Sequence, residues 1–144
     1  MNFGSGYNYI AIDSNTAFNN INDSLAFSEP IRMIGITRDD VISNTDSLVI
    51  NWTGASAANI VKVELSINNS IKDSEKDDVT DLVLYINNAG SFKFLPTDLL
   101  LFEAGVYVDI VVSAIEVQYL TVSSGKSIAV LGISSHRITI KLSN

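Results

Sequence analysis

The chain of 144 residues contains no cysteine. This absence excludes disulfides, zinc–thiolate sites, iron–sulfur clusters and cysteine nucleophiles. The lack of cysteine does not determine the cellular compartment, because proteins without disulfides occur both in the cytoplasm and in a bacterial envelope.

Basic residues are scarce as well. Nine Lys and Arg stand against sixteen Asp and Glu, and the formal net charge is −7. Proteins that bind nucleic acid neutralise phosphates with Lys and Arg, and the nine basic residues here do not cluster along the sequence. We therefore expect neither a nucleic acid nor an anionic membrane surface as partner.

The sequence also lacks long hydrophobic runs. No stretch approaches the ~20 apolar residues that a membrane span needs. Residues 1–30 have no basic segment followed by an apolar core, so they do not form a signal peptide. Hydrophobic residues still make up 47% of the chain, and charged residues only 17%, which excludes a disordered protein. We predict a single domain over residues 31–144, preceded by an edge strand or a flexible lead-in over residues 1–30.

The pattern that is present has a period of two residues. Leu48, Ile50 and Trp52 alternate with polar or smaller neighbours, and the segments 61–67 and 138–142 repeat this alternation. Such alternation indicates antiparallel strands with one buried and one solvated face. Many short strands separated by turns favour an all-β, two-sheet antiparallel sandwich. The predicted strands are 7–12, 31–37, 47–53, 60–67, 82–87, 90–94, 105–117, 126–133 and 136–142.

The strand predicted at 105–117 does not fit simple alternation. If side chains alternate along the whole strand, Glu116 points to the same face as the apolar residues Val108, Ile110 and Val112. A bulge inserts one residue and shifts the faces of a strand. We therefore predict a bulge or bend near Ser113.

The order of these features resembles a known group of domains. The segment Ser47–Gly54, a strand that ends in Trp-Thr, resembles the leading strand of immunoglobulin-like and fibronectin-III-like domains. Over roughly residues 30–142 the chain resembles the immunoglobulin-like domains of secreted Bacteroidetes-type lipoproteins. It is also similar to the immunoglobulin-like module of fungal cell-wall proteins. The further segments that carry the resemblance are 61–67, 88–92, 96–100, 105–108 and 138–142.

The resemblance implies an immunoglobulin-like sandwich, an extracytoplasmic location at the cell surface or in secretion, and a non-enzymatic role. It supplies no catalytic residues. The Cys…Trp…Cys spacing of antibody domains is absent. The resemblance to lipoprotein domains further suggests tethering through a lipid-anchor leader that has been trimmed from the sequence.

Catalytic groups are few, and their arrangement does not predict an enzyme. His136 is the single histidine, and its neighbour Ser135 points to the opposite face of a strand. The carboxylates Glu64, Asp109 and Glu116 are the candidates for paired acid–base chemistry, but Glu64 and Asp109 lie among outward-facing polar residues. We expect no enzymatic activity and no cofactor.

The densest charge feature is an acidic stretch between two predicted strands. Its candidate calcium ligands are Asp73, Asp77, Asp78 and Asp81. The stretch lacks the Asp-x-Asp-x-Asp-Gly spacing of a calcium loop, and lysines interrupt it. We interpret it as a solvated loop, with a calcium site as the alternative.

The aromatic residues give the last functional hint. Trp52 shares parity with Leu48 and Ile50, so we expect it in the core. Tyr85 shares a face with Val83 and is a candidate ligand-binding residue. The sequence favours a binding or structural module of the scaffold or adhesion type, whose partner is a protein or a cell-surface glycan. The alternatives are a carbohydrate-binding domain and a surface-fibre subunit that is completed by a neighbour's strand.

Overall fold

The computed structural model describes residues 27–68, 81–121 and 127–144, and every structural statement below refers to these residues. The strand predicted at 7–12 lies outside them, as does most of the 1–30 segment. The candidate calcium ligands Asp73, Asp77 and Asp78 also lie outside.

Eight strands and one helical turn follow each other along the described residues. At the start of the helical turn, the carboxylate of Asp98 accepts a hydrogen bond from the N–H of Leu95. The elements are β1 (Arg32–Ile34), β2 (Val41–Ser43), β3 (Leu48–Thr53), β4 (Ile60–Ile67), β5 (Asp81–Asn87), β6 (Ser91–Phe94), α1 (Pro96–Leu99), β7 (Tyr107–Thr121) and β8 (Ser127–Ser143).

The strands form two sheets, so the all-β two-sheet sandwich is confirmed. The smaller sheet has the order β1-β3-β6, and the larger sheet has the order β2-β8-β7-β4-β5. The pairings are antiparallel with one exception, which is the short parallel pairing of β2 with β8 from Val41↔Lys141 to Ser43↔Ser143.

Alternating apolar residues explain how the two sheets pack. In β3, Leu48, Ile50 and Trp52 are buried while the residues between them are exposed, as the sequence predicts. The larger sheet contributes Val61, Val63 and Leu65 from β4, and matching inward residues from β7 and β8. Each such side chain stabilises the fold by about 1.5–3 kcal/mol relative to an exposed one.

The two strands predicted at 126–133 and 136–142 are one continuous strand, β8. Ser134 and Ser135 form no turn, because they pair with Ala114 and Ser113 in an unbroken ladder. The hydroxyl of Ser135 also bonds to that of Ser113 at 2.8 Å. Backbone pairing along the whole of β7 outweighs the local preference of two serines for a turn.

The bulge predicted near Ser113 is also wrong. The pairing of β7 with β4 runs without a break from Val61↔Ala114 to Ile67↔Val108. The Glu116 side chain points inward, as regular alternation requires, and Ser28 donates hydrogen bonds to its carboxylate there. The sequence also missed β2, a three-residue edge strand.

Candidate functional site

The long hairpin of β7 and β8 extends beyond the rest of the larger sheet. β4 pairs with β7 from Val108 to Ala114, and β2 pairs with β8 only at residues 141–143. From Ile115↔Ile133 to Thr121↔Ser127 the two strands continue with no third strand beside them among the described residues. Residues 115–121 and 127–133, which we call the ribbon, extend for about 20 Å at the usual rise of a strand.

One face of the ribbon is apolar and open to solvent. We call it the ribbon face, and it consists of Ile115, Val117, Tyr119, Leu131 and Ile133. These side chains are between 45% and 71% exposed. They lie next to each other across the strands, since Ile115 pairs with Ile133 and Val117 pairs with Leu131. An antiparallel sheet normally presents polar residues on its solvated face, so this face departs from the expected pattern.

The ribbon face is large for a single protein chain. At ordinary side-chain areas its five residues expose on the order of 600 Å², the upper end for the largest apolar patch on a typical monomer. Ile60, which is 55% exposed, extends the patch onto β4, because its neighbour Val61 pairs with Ala114. Exposed apolar patches at or above this size are often interaction surfaces.

The same side of the larger sheet becomes polar further along β7. Asp109 is buried there, and its Oδ1 accepts hydrogen bonds from Asn68 at 2.9 Å and from Thr139 at 2.6 Å. Arg137 lies 3.8 Å from the other carboxylate oxygen. These contacts satisfy the charge of Asp109 within the protein, so this part of the face is built for stability.

The opposite, inward face of the ribbon holds Glu116 and an adjacent cavity. Both carboxylate oxygens of Glu116 accept hydrogen bonds from Ser28, one from its N–H at 2.9 Å and one from its hydroxyl. Phe27 packs directly on Gly132, where any Cβ would collide with the ring. The cavity measures about 470 Å³ and is lined by Phe27, Ser28, Pro30 and Glu116 together with residues 130–135.

His136 and Ser135 are not brought together for catalysis. The Nδ1 atom of His136 accepts a hydrogen bond from the N–H of Met33 at 3.3 Å, which joins β8 to β1. Ser135 points to the other face and bonds to Ser113. Both residues therefore make contacts between strands.

The candidate carboxylates do not form a facing pair. Glu64 lies on the outer face beside Lys62, with 2.6 Å between Oε2 and Nζ. Asp109 lies on that same face, where its carboxylate accepts a hydrogen bond from Thr139. Glu116, in contrast, points inward. Each of the three carboxylates is held by its own partners in the fold.

The calcium prediction is only partly within the described residues. Asp81 begins β5 and is exposed to solvent. Within residues 27–68, 81–121 and 127–144 no three potential metal ligands come together. The role of the 73–81 stretch stays a prediction.

Tyr85 is 70% exposed on the outer face of β5, where the sequence places it. It pairs with Lys62, which in turn pairs with Ser113. Tyr119 lies six residues further along β7, about 20 Å away along the strand direction. The two exposed tyrosines therefore do not form one stacking platform.

Sequence reasoning missed the ribbon face. The sequence does contain a sign of this face. Val111, Ile115 and Val117 are apolar, and they point to the side of the strand opposite to Val108 and Ile110. Apolar residues on both sides of a strand normally indicate that the strand is buried on both faces. Here the neighbouring strands end early, so the second apolar face is open.

Fold and site together define a two-sheet β-sandwich with an exposed apolar sheet face. The chain matches no family model, no curated protein and no solved structure. Among the described helical residues, no segment has the length and apolar character of a membrane span.

Proposed function

We propose that this protein is a non-enzymatic binding or structural module that acts outside the cytoplasm and docks through the ribbon face. The observation that carries the proposal is the row of five large apolar side chains, 45% to 71% exposed, on one sheet face. Burying such a surface against a partner removes apolar area from water, which is the main driving force of association.

The order of the strands supports an immunoglobulin-like kind of sandwich. The adjacent strands β4, β7 and β8 correspond in chain order to strands C, F and G of that fold, and β1, β3 and β6 correspond to A, B and E. Trp52 departs from this correspondence, because it lies on β3 rather than on the strand equivalent to C.

The non-enzymatic part of the proposal is supported by the contacts of the candidate catalytic groups. His136 and Ser135 hold strands together, and Glu116 is bound on both oxygens by Ser28. A general base needs a free lone pair within reach of a substrate proton. The Nδ1 atom of His136, the hydroxyl of Ser135 and both carboxylate oxygens of Glu116 already make contacts within the fold.

The extracytoplasmic location rests on the resemblance to secreted lipoprotein domains. Protease treatment of intact source cells tests it, with an antibody to this domain as readout. We expect the domain to be cleaved on intact cells while a cytoplasmic marker survives. Protection until the cells are lysed would contradict the location.

The docking part is tested by photo-cross-linking in the source cells. Benzoylphenylalanine in place of Tyr119 lies on the ribbon face, and the same group in place of Val49 lies on the exposed face of β3. We expect an adduct of defined mass from position 119 and none from position 49. Equal or absent adducts at the two positions would refute docking by the ribbon face.

Tyr85 favours a second candidate function, carbohydrate binding. Its ring is 70% exposed and adjoins the paired charges of Lys62 and Glu64, so a sugar could stack on the ring and hydrogen-bond beside it. A polysaccharide pull-down with the wild-type protein and with Tyr85→Ala tests this candidate. Retention that Tyr85→Ala abolishes supports it, and no retention of the wild-type protein on any glycan removes it.

The inner face of β5 favours the fibre-subunit alternative. Leu82, Leu84 and Ile86 are only partly buried there, and over residues 27–68, 81–121 and 127–144 the smaller sheet has two strands fewer than the larger one. A strand donated by a neighbour could cover these residues. Polymers that grow with protein concentration support this alternative, and a closed small oligomer or a monomer excludes it.

A further inference from the structure

We infer that the ribbon face binds the ribbon face of a second copy of this chain, which gives a two-fold symmetric dimer. The inference rests on the proposed function, because it names the partner of the same surface. It is argued from area, charge and shape.

The area of the ribbon face is close to what a stable dimer needs. A specific interface buries about 800 Å² on each partner, and the five ribbon-face residues alone expose on the order of 600 Å². Ile60 adds to this surface on the side of β4. The apolar residues therefore cover most of a standard interface, which leaves a narrow rim for polar contacts.

The charge distribution favours a second copy over a partner of different charge. The chain has a formal net charge of −7, so a basic partner would be expected to contact acidic side chains. The ribbon offers none on its outer face, because its single charged residue, Glu116, points inward and is buried. Two acidic chains repel each other less where they meet through an uncharged surface, and the ribbon face is such a surface.

The shape of the ribbon face also fits a copy of itself. It is a sheet face rather than a groove, and sheets pack face to face at about 10 Å with their side chains interdigitated. In a two-fold dimer the same patch is used on both subunits. The adjacent pair of Val117 and Leu131 lies at the centre of the ribbon face and would contact the same pair of the partner.

Sedimentation velocity of the full chain, from low micromolar to near-millimolar concentration, tests the dimer. We expect a monomer–dimer equilibrium for the wild-type protein. The double variant Leu131→Glu/Ile133→Glu would place four charges in the buried interface and weaken the dimer by about a hundredfold or more. Val49→Glu, which adds a glutamate at an exposed valine on the other sheet, is the control and leaves the equilibrium unchanged.

A second variant keeps the test valid should the charged variant fail to fold. The chain has no cysteine, so a disulfide in Val117→Cys can form only between two copies. We expect Val117→Cys to form a covalent dimer under mild oxidation, and Val49→Cys to remain monomeric or to react far more slowly. Circular dichroism and thermal melting confirm that each variant is folded.

The outcomes separate the dimer from the docking proposal. A wild-type protein that stays monomeric throughout, with no preference of Val117→Cys over Val49→Cys, overturns the dimer. If position 119 then still captures a different protein in cells, the docking proposal survives. An adduct with the mass of two copies supports both, and failure of both experiments removes both.

Discussion

The indole N–H of Trp52 donates a hydrogen bond to Oδ1 of Asn88 at 2.9 Å, which joins β3 to the connection between β5 and β6. The amide nitrogen of Asn88 donates in turn to the carbonyl oxygens of Ala55 and Ala58, at 2.9 and 3.0 Å. One side chain therefore satisfies three polar groups of the core and of the adjoining loop. Because the hydrogen-bonding partners of buried groups are costly to lose, Asn88 is a structural residue of the sandwich.

Replacement of Asn88 by alanine is the first test of this arrangement. Asn88→Ala leaves the buried indole N–H and two carbonyl oxygens without their partner, and we expect a loss of about 2–3 kcal/mol in the free energy of unfolding. Urea denaturation followed by tryptophan fluorescence measures it. The neighbouring Asn87→Ala, at an exposed position, is the control and should change stability by less than about 0.5 kcal/mol. Equal midpoints for the two variants would contradict the role of Asn88.

The contact between Gly132 and Phe27 gives a second prediction. A Cβ at position 132 collides with the Phe27 ring, so we expect Gly132→Ala to destabilise the protein by about 1–3 kcal/mol. In a Phe27→Ala background the ring is gone, and the same substitution should then be nearly neutral. Thermal denaturation of the four proteins of this double-mutant cycle measures the coupling. Additive effects would show that the two residues do not touch.

The buried Asp109 gives a third prediction. Asp109→Ala removes the acceptor shared by Asn68 and Thr139, and we expect a loss of about 2 kcal/mol in unfolding free energy. Glu64→Ala is the control, because it removes a carboxylate from the same face whose ion pair with Lys62 is worth less than about 1 kcal/mol. Chemical denaturation distinguishes them, and a loss for Glu64→Ala as large as that for Asp109→Ala would be inconsistent with the arrangement.

The turn before β2 gives a prediction for the effect of pH. The hydroxyl of Thr37 donates to the carboxylate of Asp40, as does its N–H, and these bonds lower the pKa of Asp40 below its usual value. Thr37→Val removes the hydroxyl bond, so the pKa of Asp40 should rise toward the usual value. NMR titration of the Asp40 carboxyl carbon measures this, and Thr53→Val on an exposed strand position is the control.

The sign of the stability effect follows from the direction of that shift. A lowered pKa in the folded protein means that Asp40 contributes stability above its unfolded pKa. This contribution disappears as the pH falls through the folded pKa. The difference in stability between wild type and Thr37→Val should therefore be present near neutral pH and vanish in acid. A difference that grows toward low pH would contradict the assignment.

The segments that the sequence predicted well are those in which local pattern and final environment agree. In β3 and β4, alternate residues face the core along the whole strand, so their period of two predicts both the strand and its buried face. The burial of Trp52 follows from the same parity. The short β2 lacks such a signal, because its three residues depend on pairing with the distant β8.

The predictions that failed depended on contacts distant in sequence. The inward position of Glu116 is explained by Ser28, a partner 88 residues away that no local pattern reveals. The continuity of β8 through Ser134 and Ser135 depends on the full length of β7 beside it. The exposure of the ribbon face depends on where β4 ends beside β7. The sequence of β7 alone does not determine this position.

The unbroken ladder between β7 and β8 also has a mechanical consequence. The two strands are 15 and 17 residues long, and their pairing runs from the centre of the larger sheet to the tip of the ribbon. No hinge separates tip from base along this ladder. A pull along the ribbon, applied through a bound partner, would be carried by both strands into the sandwich and would load the hydrogen bonds between β7 and β4 in shear, so the ribbon would act as a stiff arm.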